Sequence, residues 1–398
     1  MPGKTADLIA RTSLFVKVAC ATLFLLFTFA WLYFFQADML TVAQHGLSGG
    51  QTHYDRTIGA VIITAVLMVL QLLVYAFTRV SRYAHALSYL PSFLLLGFIS
   101  SISYPFHWGA WLWGGPLTLV LWVAAVVAAK KIPFYPRHLS VGLFSRAMWA
   151  NLLQMALMML GVAAVSNTNA IDHFKAHAEV ALMQGDADEA LSVGQQSLET
   201  DPSLTMLRIF ALSQKGQLGE RLFEYAIAGK SLDMLPRLLG SQSQLQVMPD
   251  SLLWAHFGVH PDSIVVRADQ EGMKPVYGGK LAIAQYLDSL ATDSLATTAY
   301  QDYLLTGCLI DRQLDSFAVR LPRYYALDAD SLPRHYREAL VLYQQEQLRG
   351  DTLFIYKDSL MLQRWHDFQQ YDSIYPDRRE RKIRTEEEFR GTYWYYYF

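Results

Sequence analysis

The chain has 398 residues, enough for two domains, and its charge is unevenly divided. Residues 1–166 carry ten Lys/Arg against three Asp/Glu, a net +7, and residues 167–398 carry 23 against 32, a net −9. That acidic balance excludes the basic face that nucleic-acid binding needs. Cys20 and Cys308 fall one in each part, so neither an intrachain disulfide nor a zinc spacing is expected.

In chain order, five hydrophobic runs come first, at about 14–35, 58–77, 87–102, 108–129 and 147–165. At ~1.5 Å per residue, ~20 residues cross the ~30 Å hydrocarbon core. Four runs meet that length, and the third, with Pro91 near its start, is short. The first run is too long for a signal-peptide core and has no small-residue cleavage site after it, so it reads as a retained span. Cys20 is not a lipid-anchor cysteine, because most of the run follows it. Lys17, one turn into the run, can reach the interface along its own stem. Residues 1–166 therefore read as a five-helix transmembrane bundle whose partner is the lipid bilayer.

Orientation follows from the connecting segments. Lys4, Arg11, Arg79, Arg82, Lys130, Lys131, Arg137 and Arg146 lie on alternate segments, and Arg56 stands alone on the others. The basic set is expected in the cytoplasm. Five crossings then carry residues 167–398 to the periplasmic side of an inner membrane. Asn151 and Gln154, three apart in the fifth run, are expected to hydrogen-bond between helices. No run contains an Asp or Glu, which argues against proton- or cation-coupled transport.

The first outer loop, residues 36–57, concentrates Asp38, His45, His53, Asp55 and Arg56. Histidine and carboxylate together are the material of acid–base or metal chemistry. These five are the candidate catalytic residues of a small, transferase-like membrane enzyme. The same loop spells Leu47-Ser48-Gly49-Gly50-Gln51, a signature of transporter ATPases, but the chain has no phosphate-binding G-x-x-x-x-G-K-[ST] loop, so no nucleotide is expected. His173 and His177 share a helix face without the Glu of a zinc-protease motif, and no metal or other cofactor is expected.

Residues 167–398 read as helices with an irregular break at about 236–282, where Ser263–Arg267 is a candidate strand. In HFKAHAEVALMQGDADEALSVGQQSLETDP, Phe174, Ala178 and Ala181 share one face, Gly185 and Asp186 break the helix, Ala190, Gly194 and Ser197 face back, and Pro202 closes the unit. Phe174, Ala178, Gly185, Ala190 and Pro202 at this spacing resemble a tetratricopeptide repeat, with Ala181 in place of the usual Tyr. That resemblance implies an α-solenoid with a groove for a protein or peptide. A second unit is LRIFALSQKGQLGERLFEYAI, with Gly216 following Gly185 at a spacing of 31. A third follows from Tyr300, with helical patterns at Leu304–Leu309, Leu314–Leu321 and Leu332–Leu348. The tail is DRRERKIRTEEEF followed by six aromatics, Tyr393–Phe398. So many rings are expected to be buried, against the helical stack or at a membrane interface.

The fragments AQHGLSGGQTHYDRTIGAV, ALSQKGQLGERLFEY and LPRYYALDADSLPRHYREALVLY make the chain similar to uncharacterised bacterial inner-membrane proteins with a tetratricopeptide-like tail. That resemblance implies architecture and no activity. The expectation is an all-α protein acting as a membrane-anchored scaffold or adaptor. The rivals are the loop-one enzyme and a structural subunit of an envelope complex.

Overall fold

The computed structural model describes residues 2–102, 109–131, 145–235, 247–257, 298–327, 331–347 and 355–398. Among them the only regular elements are helices. They form two compact units, Met1–His173 and Phe174–Phe398.

The first unit contains α1 (Pro2–Ala30, prolonged by a π-turn to Phe35), α2 (Ala37–Ser48), α3 (Arg56–Thr78), α4 (Leu90–Ser100, led by a 3-10 turn from His85), α5 (Gly109–Lys131) and α6 (Arg146–Val165). Among the described residues four stretches are long and apolar enough to cross a membrane: Ala10–Phe35, Arg56–Thr78, Trp111–Lys131 and Arg146–Val165. Val16, Cys20 and Phe24 recur every fourth residue on α1 and pack with Leu67, Phe93 and Met155 in one core. The opposite faces carry exposed Leu14, Val18, Leu26, Val66, Leu73 and Leu157. Such apolar outer faces are unfavourable in water and suited to hydrocarbon.

The third run, expected at 87–102, is the shorter apolar helix His85–Ser100. Its start is capped from another helix. Asn151 of α6 accepts the Ala86 N–H at 2.7 Å and donates to the Arg82 carbonyl at 2.7 Å. Gln154 donates to the Tyr83 carbonyl at 3.3 Å. At its far end the Ser100 carbonyl accepts the Asn167 N–H at 2.8 Å, and Ser100 Oγ accepts the Trp31 indole at 3.0 Å. The segment therefore runs parallel to α6, from the end where α6 begins to the end where it stops. Residues 37–48, read from sequence as loop, are helical, with Gly46 inside α2 and Gly49 (φ +59°) ending it.

The second unit is a series of helical hairpins. The pairs are α7 (Ala170–Met183) with α8 (Ala187–Ser192), α9 (Pro202–Gln214) with α10 (Leu218–Arg221), and, beyond α11 (Asp250–Phe257), α12 (Thr298–Ile310) with α13 (Leu314–Arg320). All three turns share one geometry. A residue of positive φ is followed by an N–H that reaches back five residues: Gly185 then Asp186 to Ala181, Gly216 then Gln217 to Leu212, Arg312 then Gln313 to Cys308. In each pair the second helix starts two residues after the turn residue.

The chain continues through α14 (Arg334–Gln347), α15 (Ser359–Ile374), α16 (Arg378–Phe389) and α17 (Tyr393–Tyr397). One core joins Ala178, Ala181 and Ala190 to Phe210, Leu305, Tyr336, Trp365 and Trp394.

Two repeat residues sit differently from their sequence reading. The second helix of the first hairpin stops at Ser192 and does not run to Pro202. Buried Arg208 takes the next carbonyls, Val193 at 3.3 Å and Gly194 at 3.0 Å, and the Phe174 ring lies where a Cβ on Gly194 would stand. Ser197 is thus in a turn, its Oγ accepting the Glu199 N–H at 3.1 Å. Pro202 opens α9, with Asp201 capping the Leu204 N–H at 2.8 Å, instead of closing the helix before it. Most of the break at 236–282, including the candidate strand Ser263–Arg267, lies outside the described residues.

Candidate functional site: a basic pocket over an aromatic floor

Three of the five loop-one candidates, Asp38, Asp55 and Arg56, are held in local structure. Asp38 pairs with Arg56 at 3.1 Å, and the guanidinium lies 5.7 Å from the Tyr33 ring centre. Asp55 caps α3, its Oδ1 accepting the Thr57 and Ile58 N–H groups at 2.9 and 2.7 Å. The His45 ring lies against Gly50, within 3.2 Å of where a Cβ would stand, and His53 is exposed. Tyr54 folds over Gly59, and burial, helped by Asp55 and opposed by Arg56, pushes its phenol up to about 12. No group of three His, Cys, Asp or Glu side chains placed to hold a metal occurs among the described residues. His173 and His177 turn to separate partners, the Asn167 carbonyl and Glu189, each at 2.9 Å.

A serine–histidine contact occurs in the second unit. Ser213 Oγ lies 2.8 Å from His256 Nε2, and burial lowers the imidazole pKa. The Ser213 side chain is buried at the end of α9, and the contact fastens α9 to α11.

The chain end builds a more distinctive site. Glu338 on α14 is fully buried. Its Oε2 accepts the Tyr393 N–H at 2.7 Å and His335 Nδ1 at 2.9 Å, and its Oε1 accepts Arg334 Nε at 2.9 Å. His335 Nε2 in turn faces the Phe223 N–H at 3.3 Å. The two ring nitrogens of His335 thus bridge Glu338 and the backbone of Phe223. The Glu338 carbonyl accepts the Trp394 indole at 2.8 Å. Burial raises the Glu338 carboxyl, but the adjacent His335 first, then the Arg334 charge and the Tyr393 N–H, outweigh it and hold the group below the ordinary carboxylate range.

The aromatic tail is therefore packed within its own unit, one of the two destinations expected from sequence. Gly391 (φ +91°) makes the turn into α17, and Thr392 caps it at the Tyr395 N–H, 3.2 Å away. Tyr396 donates its hydroxyl to the Ile310 carbonyl at 2.9 Å. Arg312 donates to the Tyr396 carbonyl at 2.8 Å and lies 5.3 Å from that ring centre. Arg312 occupies the left-handed turn position that is glycine in the other two hairpins. A non-glycine residue there costs about 1–2 kcal/mol.

Between α15, α16 and α17 lies a cavity of about 950 Å³. Its floor is aromatic: Trp365, Phe368, Tyr371, Tyr395, Tyr396 and Phe398. Trp365 meets Trp394 edge-on at 5.3 Å and Phe368 meets Phe389 at 5.1 Å, which fixes the floor from below. Its charged lining side chains, among the described residues, are Arg312, Arg378, Arg381 and Lys382. Sequence reading noticed the run Arg378–Arg384. The convergence of four cations over rings depends on how the helices pack.

Residues 268–398, which include the pocket, match DUF6057, a family of unknown function. No curated protein and no solved structure matches the chain. The match agrees with the uncharacterised family expected from sequence and brings no activity with it.

Proposed function

We propose that this chain is a membrane-anchored docking protein. Its bundle holds it in the inner membrane with the N-terminus in the cytoplasm. Its helical-repeat unit lies on the periplasmic side and binds a protein partner at the pocket between α15, α16 and α17. The observation that carries this reading is the pocket itself: a concavity of about 950 Å³ with ordered rings below and cations around it. Aromatic and arginine side chains are the residues that most often anchor protein interfaces. The tetratricopeptide-like reading gains support from three hairpins with one turn geometry. The docking reading is preferred to a loop-one enzyme because Asp38 and Arg56 form an ion pair and Asp55 a helix cap. The periplasmic assignment takes α4 as a fifth crossing beside the four longer spans, a reading supported by its hydrogen bonds to Asn151 and Asn167 at the two ends of α6. Arg79, Arg82 and Arg146 lie at the end where Asn151 caps α4, as the charge rule expects of a cytoplasmic face.

Photocrosslinking in cells tests this. Gln369→p-benzoylphenylalanine and Thr385→p-benzoylphenylalanine, both lining the pocket, should give one discrete protein adduct. The same photoprobe at Gln184, in the turn of the first hairpin, should not give it. Identical adduct patterns at all three positions, or none at the pocket, would overturn the proposal.

A further inference from the structure

The charge of the pocket is opposite to that of the domain that builds it. Residues 167–398 carry a net −9, yet the charged side chains that line this cavity are, among the described residues, all positive. On α16, Arg378, Arg381, Lys382 and Thr385 fall at i, i+3, i+4 and i+7, so they form one face of that helix. A helix packed beside aromatic neighbours ordinarily turns apolar residues toward them. Here Phe389 alone does so, at the helix's end, and the preceding turns of the same face are basic. The helix's acids, Glu380 and Glu386–Glu388, do not line the cavity. Arg378 and Lys382 are exposed and have no ion-pair partner among the described residues. From the other side comes Arg312, held in its left-handed turn and pinned to the Tyr396 carbonyl. Arg378 and Lys382, four residues apart on one helix face, repel each other unless an anion sits between them.

We infer that the pocket takes an acidic peptide segment. Its Asp or Glu carboxylates lie between α16 and Arg312, and an aromatic or aliphatic side chain between them rests on the Trp365, Phe368 and Tyr396 floor. Arginine matches carboxylate with two parallel hydrogen bonds, and cations near ring faces are further favoured by the ring quadrupole. The concavity selects a peptide over a bilayer, because a flat headgroup surface cannot reach a floor recessed between three helices. This inference rests on the docking reading above and adds the chemistry of the partner.

The test is fluorescence anisotropy on the full chain in nanodiscs of zwitterionic lipid. The probes are a panel of labelled peptides that place two or three Asp/Glu around one Phe, Tyr, Trp or Leu. Matched Asn/Gln peptides are the control. The acidic panel should contain binders and the neutral panel none. Affinity should fall with salt, since the pocket's cations are partly exposed. Arg378→Glu with Lys382→Glu should weaken acidic binders by roughly tenfold or more, as reversing rim charges does at steered interfaces. The same variant should gain binding to peptides with Lys/Arg at the acidic positions, a rescue that a misfolded variant cannot give. Equal binding of acidic and neutral peptides, no binding by either panel, or displacement by inorganic phosphate at peptide-like concentration would overturn the inference. Pocket-specific photocrosslinks without acidic-peptide binding would sink this inference and leave the docking reading standing. Loss of both would sink both.

Discussion

Glu338→Ala is the most informative single change in the helical unit. The wild-type carboxylate has no exposed surface and receives three donors: Arg334 Nε, His335 Nδ1 and the Tyr393 N–H. Arg334 is partly exposed and can turn to water, so its loss costs little. The imidazole N–H and the peptide N–H stay buried, and each orphaned donor costs about 1–3 kcal/mol. The sum is about 2–6 kcal/mol, in the range found when one partner of a buried charged pair is removed, about 3–5 kcal/mol. Thermal unfolding of the detergent-solubilised chain, followed by tryptophan emission, should shift down by roughly 2–4 °C per kcal/mol for a unit of this size. Hydrogen exchange should show residues 393–398 losing protection first. Glu338→Gln can keep its oxygen on the Tyr393 and His335 donors and turn its NH2 toward Arg334, which is partly exposed and can move away, so its cost should be smaller, about 1–3 kcal/mol. The pH dependence has a definite sign. A carboxyl held below its ordinary value stabilises the fold fully above the unfolded value of about 4.3, and that contribution is lost as pH falls through the lower folded value. Glu338→Gln should therefore flatten the acid limb of the stability curve. If Glu338→Ala melts within about 0.5 kcal/mol of wild type and the tail amides stay protected, ring packing alone holds the tail, and the reasoning about Glu338 fails.

Three further outcomes follow from the same kind of argument. Ala190 is buried where the first hairpin packs on α9, so Ala190→Leu overpacks the crossing and should cost about 1–3 kcal/mol in thermal unfolding; an unchanged melting temperature would put that side chain in solvent. Asp302 accepts the Tyr325 and Tyr336 hydroxyls at 2.7 and 2.9 Å, yet burial outweighs them and raises its pKa. A raised carboxyl destabilises the fold once pH exceeds the unfolded value, so Asp302→Asn should be more stable than wild type at pH 7 and lose that advantage below about pH 4; a less stable variant at pH 7 would contradict this. Asn151→Leu leaves the Ala86 N–H and Arg82 carbonyl without their cap, at about 1–3 kcal/mol per buried group. Proteolysis of the membrane-embedded chain should then cut first near residues 79–86, and an unaltered pattern would mean that the cap is dispensable.

The apolar spans were legible because a span is a matter of length and composition, and both are local. The short fourth helix was harder to read. Its start is completed by Asn151, 65 residues away, and no local signal encodes that. Two hairpin turns showed in the sequence as Gly185 and Gly216, while the third was hidden because Arg312 holds the same left-handed conformation. Loop one drew attention for its density of titratable residues, which the fold spends on a cap, an ion pair and a tyrosine packed on α3. Glu338, in HYREALVLY, reads as an ordinary surface charge beside Arg334, and only the docked tail makes it a buried anchor. The basic stripe of α16 became a site when the aromatic tail folded beneath it.

The most direct test of a bundle that carries its helical unit to the periplasmic side is two-position thiol labelling. Cys20 and Cys308 are both buried, so background labelling is low. Ser373→Cys at the end of α15 and Ser81→Cys between α3 and α4 both place a thiol at an exposed position. In intact spheroplasts treated with a membrane-impermeant maleimide, Ser373→Cys should label at once and Ser81→Cys only after lysis. The reverse pattern would put the helical unit in the cytoplasm and contradict the account.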